Sequence, residues 1–288
     1  MEVLFFCPMW GLADMPVPDM LHKIKNAGYD GIEFGFSEDY EGKDAFVALA
    51  KKLDLLIIAQ QCFAEGSDFD TYRSSYTRNL EWLLSFDPLL VNSHTGRDYY
   101  SFNENIQLIE IAAELEKASG IKVLHETHRG RFPFHPIQCM KYAAEFPQLS
   151  FTADFSHFCT VCESYLEDQE VTLQYIEDRS LHIHARVGYP QGPQILDPRL
   201  PECLNALQIH LKWWDSIFKK RKDEGASFLT ITPEFGPSPY MPAAPFTGQP
   251  LACQWDINIY MMQFLKNRYT LNNLDSYEQT KLGTKSLL

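Results

Sequence analysis

Residues of the kinds that bind metals or move protons crowd into four short stretches of this chain. They are His125-Glu126-Thr127-His128, Asp154-Phe155-Ser156-His157, His182-Ile183-His184 and Thr232-Pro233-Glu234. Seven of the nine histidines fall between positions 94 and 184. A lone Glu or His is ordinarily a hydrogen-bonded polar group at the rim of a fold. Three carboxylates and an imidazole converging on one point behave differently, because like charges taken out of water repel and lose solvation. A divalent cation is the simplest partner that satisfies them all. Three oxygens with one nitrogen suit Mn2+, Mg2+ or Co2+, with Zn2+ as a further option. Such a centre polarises a carbonyl and acidifies the C–H beside it.

Each stretch closes a short apolar run, and strand parity decides which side chains share a face. Leu124, Glu126 and His128 share one, opposite Val123 and His125. Thr152 pairs with Asp154; His182, His184 and Arg186 fall together, as do Thr230, Thr232 and Glu234. The residues between them, Phe151, Ala153, Leu181, Ile183, Leu229 and Ile231, are apolar, as faces packed against helices must be. Four consecutive strands therefore aim Glu126, Asp154, a histidine and Glu234 at one mouth. Both His182 and His184 face inward. His184 stands nearer the strand's end and is the preferred ligand, with His182 kept open as the alternative or as a neighbour that orients it. Glu126 and Glu234, on opposite sides of the centre, are candidates for base and acid.

The elements that would hold these residues can be read from the alternation of apolar runs with amphipathic stretches. Strands are predicted over 3–8, 31–36, 55–62, 89–94, 122–127, 150–155, 180–187 and 228–235. Helices are predicted over 16–27, 43–53, 70–85, 104–118, 137–146, 164–176, 202–221 and 255–268. Eight strands alternating with eight helices imply parallel pairing through right-handed crossovers. The expected fold is α/β, a single (βα)8 barrel over 1–270, whose C-terminal mouth is where the loops build a site. No Gly-rich fingerprint follows the first strand, which argues against a doubly wound sheet. Residues 271–288 read as a polar tail. The loop over 236–250 carries five prolines and follows the eighth strand, as a pocket wall or as a contact in a homo-oligomer.

Composition narrows the partners. The 288 residues are 45% hydrophobic and 22% charged, a soluble globular balance, and a chain of this length needs no metal to fold. A metal here would serve chemistry. The formal net charge of −13 opposes phosphate backbones and anionic lipid, so neither nucleic acid nor membrane is an expected partner. The basic run at 219–222 ends a predicted helix, where it complements the dipole. Seven scattered cysteines, with one unpaired CxxC at 159–162, suggest reduced thiols and a cytoplasmic setting. The first ten residues lack the basic start of a signal peptide.

The motifs DxxH at Asp154–His157, HxH at His182–His184 and the Glu of Thr232-Pro233-Glu234-Phe235-Gly236 together resemble the xylose isomerase-like TIM-barrel superfamily of sugar isomerases and epimerases. The likeness runs through nearly the whole chain by its eight-fold alternation. It implies one divalent metal ion held by Glu126, Asp154, His184 and Glu234. It also implies that His157 and Arg186 touch a small carbohydrate substrate. The implied reaction is isomerisation or epimerisation through an enediolate. Rival readings are an inosose dehydratase-like lyase, an endonuclease IV-like phosphodiesterase and a barrel that binds sugar without turnover. One position departs from the pattern. Ketose 3-epimerases of the family carry a further Glu six residues after the first ligand, where this chain has Phe132. His128, Arg129 and Arg131 beside it suggest a more polar or anionic substrate. Weaker inward candidates are Glu33, Gln60, Asn92 and His94 at the ends of the second to fourth strands. Trp10 follows the first strand and could stack on a sugar ring, and Arg97 could bind an anion or pair with Asp98.

Overall fold

The computed structural model describes residues 1–12 and 14–270; the expected tail over 271–288 lies outside them. Eight strands close into one barrel in chain order, every neighbouring pair parallel, with the first strand pairing with the last. They are β1 (Glu2–Pro8), β2 (Gly31–Phe34), β3 (Leu56–Gln61), β4 (Leu90–Ser93), β5 (Lys122–Glu126), β6 (Phe151–Ala153), β7 (Ser180–His184) and β8 (Phe228–Thr232). The helices between them are α1 (Val17–Asn26), α2 (Lys43–Lys52), α3 (Phe69–Leu84), α4 (Phe102–Ser119), α5 (Pro136–Glu145), α6 (Phe155–Val161), α7 (Glu170–Glu177), α8 (Leu204–Asp223) and α9 (Gln254–Thr270). This is the expected (βα)8 barrel, and none of the described helices is long and apolar enough to cross a membrane.

Strand parity builds two cores. Phe5, Ile32, Val91, Val123, Phe151, Ile183, Leu229 and Ile231 face out and pack with the helices in one large cluster. Phe6, Ile58, Leu90 and Leu124 point inward and plug the lower barrel. Gly31 makes room for that plug, since a Cβ there would come within 2.4 Å of the Phe6 ring. Above the plug the inward positions turn polar: Glu33, Asn92, Glu126, Thr152, His182, His184, Thr230 and Thr232 are all buried.

Two local features differ from the sequence reading. The last three strands stop short of the expected ends, so Asp154, Arg186 and Glu234 stand one or two residues past them. For β8 the reason is plain, because Pro233 has no N–H to continue the ladder. The helix expected over 164–176 is α7, which starts only at Glu170, and a further helix that was not expected precedes it. That helix, α6, begins directly after β6, capped by the Asp154 carboxylate, which accepts from Ser156 N at 3.1 Å. Phe155, Ser156, His157, Phe158 and Cys159 are all buried, so this turn carries no polar face and no helical period to read.

Candidate metal centre

Strand ends bring Glu126, Asp154, His184 and Glu234 together from four adjacent strands. Each offers one ligand atom, and these atoms all lie within 4.8 Å of one another. All four residues are buried. His184 Nδ1 is 2.9 Å from Glu234 Oε2 and 3.6 Å from Glu126 Oε2. It is nevertheless a buried nitrogen without an aligned hydrogen-bond partner. The other ring nitrogen, Nε2, is 2.9 Å from Glu33 Oε1. A buried, unpartnered imidazole nitrogen facing three carboxylates is the donor set that a divalent ion fits.

The charges of the centre depend on one another. Burial alone would raise Glu126, but His94 and His184 hold it well below the usual carboxylate range. Burial pushes Asp154 up to about 6, with Arg186 opposing and Glu234 and Glu126 adding to the rise. His184 is raised well above its ordinary value: burial works against this, and Glu234, Glu33 and Glu126 overcome it. Arg186 is buried and bonds Asp154 through Nη2, while its Nε donates to Ser156 Oγ at 3.1 Å. Its Nη1 stands 3.6 Å from Glu234. Arg186 therefore holds two of the acids as well as facing the cavity.

A cavity of about 350 Å3 opens over the centre. Its polar lining is Glu33, Gln60, His94, Glu126, His128, Arg186 and Glu234. Pro8, at the end of β1, also lines it, with Met9, Trp10, Cys62, Phe63 and Tyr240 from the loops after β1, β3 and β8; the Arg186 guanidinium lies 4.8 Å from the Tyr240 ring. Trp10 meets Tyr240 edge to face, with centroids 4.9 Å apart. Gly236 is required beside them, because a Cβ there would come within 2.1 Å of the Trp10 ring.

The other expected site residues fall in two places. His94, His128, Arg186 and Trp10 face the cavity. His94 Nε2 lies 2.9 Å from Glu126 Oε2, which overcomes its burial and raises its pKa. His128 donates from Nδ1 to Arg129 O at 2.6 Å, and burial, helped by His94, lowers it to about 3. His157 is behind the lining, its Nε2 accepting from Arg186 Nη2 at 2.7 Å. His182 is behind it too, spanning Glu33 at 3.1 Å and the Thr230 hydroxyl at 2.7 Å. His184, and not His182, joins the four converging ligand atoms.

No protein-family model matches the chain, and no curated protein matches it in sequence. Solved structures do match. A xylose isomerase domain containing protein from Salmonella typhimurium LT2 aligns over 81% of this chain and 88% of its own, with 11% identity and a TM-score of 0.57. The chain has the fold of the xylose isomerase-like barrels. Two more share it. The 3-keto-D-glucoside 4-epimerase YcjR from E. coli aligns over 92% of this chain and all of its own (12% identity, TM-score 0.58). The probable 3-DHS dehydratase AsbF from Bacillus anthracis aligns over 93% of this chain and all of its own (17% identity, TM-score 0.58). An AP endonuclease has the fold as well.

Several residues at the centre gave weak signals or none in the sequence. Glu33 and Asn92 could be named only as inward-facing. Met9, Cys62 and Phe63 continue apolar strands, and Tyr240 sits in an irregular loop, so nothing in spacing singled them out. Phe132, which stands where the 3-epimerases carry Glu, packs in the core against Tyr142 and His125, with centroids 4.7 and 5.4 Å away. The Arg129 guanidinium lies 5.3 Å over the Tyr240 ring, and neither Arg129 nor Arg131 lines the cavity.

Proposed function

We propose that the chain is a metal-dependent isomerase or epimerase of a sugar or sugar derivative, acting through an enediolate. The observation that carries this is the buried His184 Nδ1 gathered with three carboxylates, two of which, Glu126 and Glu234, line the cavity. Glu126, Asp154, His184 and Glu234 would hold one divalent ion, Mn2+, Mg2+ or Co2+ being best suited and Zn2+ the alternative. When bound, that ion supplies Lewis acidity to a substrate carbonyl and the adjacent hydroxyl. Glu126 and Glu234 reach the cavity and are the groups that take a proton from the substrate carbon and return it. His94 and Asn92 hydrogen-bond Glu126 Oε2, at 2.9 and 2.7 Å, and so fix its orientation.

The cavity walls favour a neutral sugar over an anionic one. Glu33, Glu126 and Glu234 face it, and its one lining guanidinium, Arg186, is already bonded to Asp154. That supports no phosphate or carboxylate group, and the anionic substrate suggested by Arg129 and Arg131 is set aside. Trp10, Phe63 and Tyr240 give the lining ring surface on which the C–H face of a sugar would pack. The fold is shared by a protein described as a keto-glucoside epimerase, which fits a keto-sugar substrate.

Solvent deuterium incorporation tests the reading. A screen of neutral keto- and aldo-sugars in deuterated water, with Mn2+ supplied, should find a substrate that exchanges at carbon. Glu234→Gln should lower that exchange by ~10²- to 10⁴-fold, because the amide cannot accept a proton near neutral pH. A variant that keeps its metal and exchanges at the wild-type rate would remove Glu234 from proton transfer. A UV-absorbing unsaturated product would favour the dehydratase alternative.

A further inference from the structure

Glu33, on β2, lies outside the four converging ligands yet bonds four side chains of the centre's frame. Its Oε1 accepts from Asn92 Nδ2 at 3.0 Å and from His184 Nε2 at 2.9 Å. Its Oε2 accepts from His182 Nε2 at 3.1 Å and from Thr232 Oγ1 at 2.5 Å. Both oxygens are doubly engaged. Glu33, His182 and His184 are close enough to hold an ion of their own, but doing so would break bonds from three other strands. An ionised carboxylate can only accept, so the His184 nitrogen facing Glu33 must carry a proton. With that proton held on Nε2, the ring nitrogen free to give up its proton to an ion is Nδ1, which stands among the carboxylates.

We propose that Glu33 is the positioning residue of the centre, fixing His184 with Nε2 protonated and Nδ1 turned to the metal. This rests on the metal-site reading above. Asn92 extends the frame, since its amide also donates to Glu126 Oε2 at 2.7 Å. Glu33 thus ties β4, β7 and β8 to β2 and, through Asn92, reaches the ligand on β5. A carboxylate behind a ligating imidazole orients the ring and strengthens its donor atom.

The test measures metal affinity directly rather than turnover. Wild type and Glu33→Gln are titrated with Mn2+ by calorimetry, with the thermal midpoint of each metal-free chain recorded alongside. The glutamine keeps the shape but halves the acceptor capacity. It should weaken Mn2+ binding ~10- to 100-fold with the secondary structure unchanged. A merely structural Glu33 would lower the midpoint and leave Mn2+ affinity unchanged, which would overturn the proposal. Proton–nitrogen NMR of the Zn2+-loaded wild type gives a second readout that does not depend on the variant folding. His184 should show its ring proton on Nε2; a proton on Nδ1 would overturn the assignment even if Glu33→Gln fails to fold. A wild-type chain that takes up neither Mn2+ nor Zn2+ defeats the metal-site reading itself. Equal uptake by wild type and variant defeats only the role of Glu33.

Discussion

His182 and His184 are two residues apart on one strand face, and only their partners separate them. His182 is held between Glu33 and Thr230, whereas His184 turns Nδ1 toward Glu234 at 2.9 Å. His184→Ala should therefore abolish tight divalent-metal binding, and His182→Ala should retain most of it. Metal retention by His184→Ala equal to wild type, measured by titration, would reverse the assignment. The same residues set a pH dependence. Asp154 is pushed up to about 6, and His184 is raised well above its ordinary value. Protons on either group compete with an ion, so apparent affinity should fall as pH drops through about 6 and rise toward and above neutrality. The slope should be roughly tenfold per pH unit for each proton displaced. Mn2+ affinity that does not change across this range would contradict the direction.

At the scale of elements, helix packing places one carboxyl where the sequence gives no warning. Glu177 ends α7 and is buried. Burial pushes its carboxyl up to about 7; the Ser216 hydroxyl lowers it in part and Asp178 raises it further. A folded value above the ordinary 4.5 means that the folded chain keeps a proton the unfolded chain has already lost. Stability from this group is present at low pH and is lost as pH rises from about 4.5 through about 7. Glu177→Gln removes that penalty. It should stabilise the chain by ~1–3 kcal/mol at about pH 8 and by little at about pH 4, as read by urea unfolding. A helix that shows no pH-dependent gain would mean that the carboxyl is reached by water. The α6 turn illustrates the complementary point: its Asp154 cap points back into the barrel mouth, so one residue both starts a helix and joins the acidic cluster.

At the scale of the molecule, barrel closure concentrates acid. A chain with a formal net charge of −13 gathers Glu33, Glu126, Asp154 and Glu234 inside one mouth. Arg186 offsets part of that charge through Asp154 and Glu234. An ion that binds the folded chain and not the unfolded one adds its binding energy to stability, ~2.7 kcal/mol at a free concentration 100 times Kd. Removing metal with a chelator should therefore lower the thermal midpoint by ~5 °C, and re-addition of Mn2+ should restore it. A midpoint indifferent to chelator and to Mn2+ would be evidence against the centre.

What the sequence alone determined is what strand parity and alternation carry. Eight apolar runs separated by amphipathic helices imply parallel strands joined by crossovers and fit a closed barrel better than an open sheet, and period two assigns Glu126, Asp154, both His182 and His184, and Glu234 to its interior. These are local properties of a few consecutive residues. The tertiary structure decided what depends on the stagger between strands. Glu33 and His184 are 151 positions apart, and they meet because β1 closes against β8 and brings β2 across from β7. Which imidazole nitrogen faces the carboxylates, the capture of Arg186 by Asp154 and the Trp10–Tyr240 contact follow from the same closure. No spacing in the chain encodes them, because hydrogen bonds across a barrel mouth are set by its stagger and tilt, not by distance along the sequence.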